Sequence, residues 1–227
     1  MQRRSVIALS IAAVVFLSGA GSVAYGVKNQ MDDAKYCAAV TEGIAERGEV
    51  VHVSDGAPRV VVLGDSYSAS DWLPNRADGW TYRLGAAAGW SVDVAAVGGT
   101  GYVNEGYCGD QAFSERLDKV LALSPETLII QGGLNDSEES PEDIREAAAD
   151  LLARVGSVPR VILVGPTDAP SLDNLPAVDR ALSEAAKGAG REYVSALDWD
   201  LEFLPDRLHL TPAGHSLFAD NVLAAVG

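Results

Sequence analysis

Apolar positions in this chain fall into short runs rich in β-branched residues, separated by longer stretches with helical spacing. Arg59–Leu63 (RVVVL) is a continuous Val/Leu run of strand length, the pattern of a strand covered on both faces. Ser91–Val97, Thr127–Gln131 (TLIIQ) and Val161–Val164 repeat it, and Glu192–Ala196 is a weaker fifth. Between them the spacing predicts helices at Gly79–Ala88, Gln111–Leu123, Pro141–Val155 and Leu175–Lys187, then a last one at Pro212–Ala225 capped by Thr211. Ser140-Pro141 followed by Glu142 and Asp143 has the cap, the first-turn proline and the acids of a helix start. Strand–helix alternation of this kind predicts an α/β fold. A mostly parallel five-stranded sheet would lie between two helical layers, joined by right-handed crossovers.

The first 58 residues break the pattern. Arg3 and Arg4 precede an apolar run from Val6 to about Val27, and Asp32-Asp33 follows. Positive-then-apolar is the order of an export signal, and Ser18-Gly19-Ala20 and Ser22-Val23-Ala24 both offer small residues for cleavage. At roughly 20 residues the run also suits an uncleaved membrane anchor with its arginines inside. The organisation expected is therefore residues 1–28 as signal peptide or anchor, 29–58 as an extension and linker, and 59–227 as one globular domain. Either reading of the start predicts an exported protein, secreted or held at the cell surface through residues 6–27.

Length and charge narrow this further. The chain has 227 residues, enough for one well-cored domain, and a formal net charge of −15 with no basic cluster beyond residue 4. Such a surface repels phosphate backbones, so no nucleic-acid partner is expected. Cys37 and Cys108 are the only cysteines, and an exported domain permits their bridging. Closing that loop would stabilise by roughly 4 kcal/mol on the chain-entropy model. Two free thiols are the alternative. Neither cysteine has metal-like spacing, and no metal or cofactor is expected.

In a parallel sheet the chemistry lies at the carboxyl ends of the strands. Gly64-Asp65-Ser66-Tyr67-Ser68 follows the first strand; read locally, it fits a helix cap as well as a nucleophile, and it lacks the second glycine of a G-x-S-x-G elbow. Gly98-Gly99-Thr100-Gly101 follows the second, where backbone N–H groups can face a ligand unobstructed. Gly132-Gly133-Leu134-Asn135-Asp136 follows the third, with an amide able to donate to developing negative charge. Near the end, Asp206 precedes His209 by three residues, a spacing that lets the carboxylate reach one ring nitrogen and leaves the other as a base. His52 precedes the expected sheet, and His215 falls inside the last helix in a structural or surface role.

These blocks, in this order from about Arg59 to Gly227, resemble the SGNH hydrolases, also called the GDSL esterase/lipase family. Gly64-Asp65-Ser66 matches its first block, Gly99 the glycine of its second, Gly133-Leu134-Asn135-Asp136 its third, and Asp206 to His209 its last. The second block departs from the family pattern, with Ala95 and Ala96 where an Asn is usual. The resemblance implies a flavodoxin-like three-layer sandwich and metal-free hydrolysis of lipid or carbohydrate esters. It implies a catalytic Ser66, His209 and Asp206, with an oxyanion hole made by the Ser66 and Gly99 N–H groups and the Asn135 amide. Acyl transfer to a cell-envelope glycan by the same triad is a second reading, and a non-catalytic carbohydrate-binding module a third. Tyr67, Trp72, Tyr102 and Tyr107 follow the first two blocks and are candidates for lining the site.

Overall fold

A computed structural model of the protein describes residues 33–227. The Val6–Val27 run lies outside the described residues. No helix among the described residues is long and apolar enough to cross a membrane. The elements in chain order are α1 (residues 33–47), β1 (Val51–Ser54), β2 (Arg59–Gly64), α2 (Ser66–Ala69), α3 (Trp80–Ala88), β3 (Ser91–Ala96) and α4 (Phe113–Ala122). They continue with β4 (Thr127–Gln131), α5 (Pro141–Arg154), β5 (Arg160–Thr167), α6 (Leu175–Gly188), β6 (Glu192–Ala196) and α7 (Pro212–Val226).

The strands form one sheet in the order β1-β3-β2-β4-β5-β6. β2 lies inside, pairing in parallel with β3 on one side and β4 on the other, which is why its Val/Leu run is apolar throughout. The two faces take alternate residues. Val61, Leu63, Leu128, Ile130 and Leu163 pack under α4, α5 and α6. Val60, Val62, Ile129, Ile162 and Val164 pack under α3 and α7. The result is a three-layer α/β/α sandwich. The chain steps outward from β2 in one direction to β3 and in the other to β4, so the sheet's switch point is at the end of β2.

The helix starts follow their local chemistry. Ser140 Oγ accepts from the Asp143 N–H at 3.1 Å, with Pro141 at the first position. Thr211 Oγ1 likewise accepts from the Gly214 N–H at 3.1 Å to open α7.

Two expectations are corrected. The sheet has six strands rather than five: Val51–Ser54, inside the stretch read as a linker, pairs antiparallel with β3. A four-residue edge strand, paired on one side only and never fully buried, carries too little apolar signal to be separated from a loop. His52 therefore belongs to the sheet, where its ring bonds Asp93 at 2.8 Å and Asp55 at 3.2 Å. The fourth predicted strand also runs on to Thr167, past Gly165 and Pro166. The register with β6 shifts between Val164 and Thr167, and that irregularity takes up the proline's missing donor.

Candidate active site

The site begins where β2 runs into α2. Asp65 is the cap of that helix, its Oδ1 accepting from the Tyr67 N–H at 2.9 Å. This leaves Ser66 at the first helical position, where its N–H has no partner within the helix or elsewhere among the described residues. The block thus holds a helix cap, Asp65, and directly after it the candidate nucleophile, Ser66. Ser68 Oγ donates to Gln131 Oε1 at 2.6 Å and ties α2 to the end of β4. Asp65 is fully buried, and that burial pushes its carboxyl up to about 7.

The loop after β3 supplies the second wall. Gly99 sits at φ +79°, and a Cβ there would lie 2.7 Å from the Tyr107 ring, so only glycine fits. Its N–H has no partner among the described residues. Asp136 holds this loop, accepting from the N–H groups of Tyr102, Val103 and Asn104 at 2.9, 3.0 and 2.9 Å. A side chain on Gly101 would collide with the Asp136 carboxylate. The neighbouring Asn135 donates one amide N–H to the Thr100 carbonyl at 2.9 Å, which fixes the amide plane and leaves the second N–H for the cavity. Behind both, Arg116 donates to Gly64 O, Ala95 O and Thr100 Oγ1 at 3.1, 2.9 and 2.8 Å, clamping the ends of β2 and β3. Burial pulls its pKa down to about 10, opposed by the charges of Asp65 and Glu115.

The candidate base comes from the last loop. Asp206 Oδ1 accepts from the Leu208 and His209 N–H groups, both at 3.0 Å, and Oδ2 lies 2.7 Å from His209 Nδ1. Burial works to raise the Asp206 pKa, but the Leu208 N–H, the His209 ring and the His209 N–H outweigh it and hold the carboxyl below its usual range. The tight turn places Arg207 at φ +60°. Tyr67 OH donates to Leu208 O at 2.5 Å, and the Trp72 ring lies over His209 with centroids 5.0 Å apart. Trp72 is 61% exposed and adopts φ +70°, a strained conformation for a bulky residue.

Ser66, Gly98, Gly99, Asn135 and His209 all line one cavity of about 360 Å³. The structure thus brings together the residues singled out in four separate blocks. His215 is not among them: it is buried in α7, and its Nδ1 accepts the Trp80 N–H at 3.3 Å at the start of α3. Tyr67 and Tyr102 are core residues, whereas Trp72 and Tyr107 line the cavity. Cys37 and Cys108 are bonded, joining α1 to the loop after β3, and Tyr36 stacks on Tyr107 at 4.8 Å. Sequence reasoning missed α1 as a cavity wall, together with Asp71 and Arg76, which form a 2.9 Å ion pair beside Ser66. The helical spacing of Tyr36, Val40, Gly43 and Arg47 was the available signal. Among the described residues no group of three His, Cys, Asp or Glu could hold a metal ion.

Comparison with known proteins bears on this arrangement. Est24, a carbohydrate acetylesterase from Sinorhizobium meliloti, superposes with a TM-score of 0.63 at 19% identity, covering 74% of this chain and 99% of that one. The lipase/acylhydrolase from Enterococcus faecalis gives 0.61 at 18% identity, over 74% and 94%. The psychrotrophic esterase EstA from Pseudoalteromonas sp. gives 0.61 at 17%, over 75% and 97%. At these identities the likeness is one of fold. No curated protein matches the chain by sequence. A model of the GDSL-like lipase/acylhydrolase family matches residues 62–217, a span that takes in Gly64 to His209, and the chain belongs to this SGNH/GDSL family of ester hydrolases.

Proposed function

We propose that the protein is an exported serine esterase that cleaves carboxylic esters of carbohydrate or lipid through an acyl-enzyme on Ser66. The observation that carries this reading is the 2.7 Å Asp206–His209 contact on the same cavity as Ser66. Asp206 fixes the proton on Nδ1, so Nε2 is the basic nitrogen that takes the Ser66 proton as its oxygen attacks the carbonyl. Charge then develops on the carbonyl oxygen. The N–H groups of Ser66 and Gly99 and the free amide N–H of Asn135 are the donors for it, each contributing on the order of 3 kcal/mol to the transition state. Return of the proton from His209 to the leaving alcohol, and then attack by water, complete the cycle. The cystine supports export, because such bonds persist outside the reducing cytoplasm.

The test is turnover of a short p-nitrophenyl ester by Ser66→Ala and His209→Ala, each checked for folding by circular dichroism. Loss of turnover in both folded variants is expected. Full activity in either overturns the mechanism.

A further inference from the structure

One face of α1 lines the ester cavity through Tyr36, Ala39, Val40, Gly43, Ile44 and Arg47. The spacing of three and four keeps these side chains on a single stripe, about 16 Å long at 1.5 Å per residue. The stripe is apolar until its last turn, where Arg47 interrupts it. Gly43 makes room for that change: the Arg47 guanidinium folds back over it, and a Cβ on Gly43 would lie only 3.1 Å from a guanidinium nitrogen.

Arg76 lines the same cavity from the turn that follows α2. Its Nη1 there lies 2.9 Å from Asp71 Oδ1 and donates to Ala69 O at 2.6 Å, which leaves Nη2 for a ligand. Arg47 forms no ion pair among the described residues. The charged side chains of the cavity wall are thus two guanidiniums and one carboxylate, on a chain whose net charge is −15. Burial and the adjacent Arg76 charge hold Arg47 below the usual arginine range, with Asp71 opposing them. An anion seated between the two guanidiniums relieves that repulsion, and planar guanidinium forks match carboxylate and phosphate oxygens.

We propose that Arg47 and Arg76 form an anion subsite of the ester cavity, so that the preferred substrate carries a carboxylate or phosphate close to the scissile ester. The substrate class named here rests on the esterase reading; the subsite itself does not.

Two measurements keep these apart. In the first, kcat/KM is compared between mono-p-nitrophenyl succinate and its neutral methyl ester, and among acetylated glucuronic acid, acetylated glucose 6-phosphate and acetylated glucose. At least one anionic ester is expected to exceed its neutral counterpart about tenfold, with the preference lost in Arg47→Gln and partly kept in Arg47→Lys. A preference for the succinate or the glucuronate assigns a carboxylate, and one for the sugar phosphate a phosphate. In the second, calorimetry follows succinate and inorganic phosphate binding to the wild type, Ser66→Ala and Arg47→Gln. Binding is expected in the first two and at least tenfold weaker in the third. Turnover without anion preference, or an unchanged preference and binding in Arg47→Gln, overturns the subsite. Anion binding lost in Arg47→Gln, in a protein that cleaves no ester, confirms the subsite and overturns the esterase reading.

Discussion

The hydroxyl of Tyr67 donates a 2.5 Å hydrogen bond to the carbonyl of Leu208, so the residue after the proposed nucleophile holds the residue before the proposed base. The bond joins α2 to the last loop across 141 residues of sequence. Tyr67→Phe keeps the ring in the core and removes the hydroxyl, with its bond to Leu208 O and its 3.3 Å contact to Thr167 Oγ1. The expected result is a loss of about 1–3 kcal/mol in stability from the unpaired Leu208 carbonyl. A fall in kcat of about tenfold, with little change in KM, should accompany it as His209 loses its positioning. Chemical denaturation and steady-state kinetics check both. Unchanged kcat would show that the bond does not position the base.

Asp206 separates its two tasks between two oxygens. Oδ1 accepts from backbone and Oδ2 faces the imidazole, so Asp206→Asn can keep the turn while presenting an N–H to His209 Nδ1. The wrong tautomer then predominates. We expect a melting temperature close to wild type and a kcat lowered by about 10³-fold or more, measured on a p-nitrophenyl ester.

Trp72 combines strain with exposure, and its ring covers His209. Trp72→Gly should relieve the left-handed backbone and raise stability by about 1 kcal/mol. The same change should lower kcat/KM several-fold, because the base loses its cover. A variant both less stable and fully active would contradict this division.

His215 gives the fold an acid-sensitive point. Burial first, then the Arg83 and His209 charges, depress its pKa from 6.5 to about 4. Between those values the unfolded chain binds a proton that the folded chain refuses, so stability falls as pH drops through 6.5 toward 4. Wild type should lose ~1.6 kcal/mol from this group between pH 6.5 and 5, because half of the unfolded histidine is already charged at the upper value. His215→Gln should be weaker at pH 7, where it loses the contact to Trp80 N–H, but should lose less on acidification. Urea unfolding at the two pH values measures the difference; parallel losses would refute it.

What could be read from the sequence follows from burial. The Val/Leu run of β2 is sealed on both faces, so its signal is strong, and each parallel strand beside it carries a similar one. The site blocks could be read because they sit at the carboxyl ends of these strands, where the fold leaves few alternatives. α1 and β1 leave only weak signals: no residue of α1 is buried, so its helical spacing stands out little, and β1 is only half covered. Asp71 and Arg76 were missed for a different reason. Their relevance comes from a turn that carries Asp71 back against Gly98 with Arg76 paired to it, and no periodicity encodes that return. Gly99, by contrast, was picked out of the glycine run by the family resemblance, and its positive φ supplies the physical cause.

The cystine between Cys37 and Cys108 has a practical consequence. Every group proposed for the chemistry lies between residues 65 and 209, whereas one wall of the cavity is a contiguous helix of about 15 residues pinned by a single covalent bond. Part of the cavity wall is therefore carried on a stretch of chain separate from every group proposed for the chemistry. A library that varies only the cavity-facing positions of α1, with Cys37 kept, should yield enzymes that differ in the esters they accept while sharing one reaction centre.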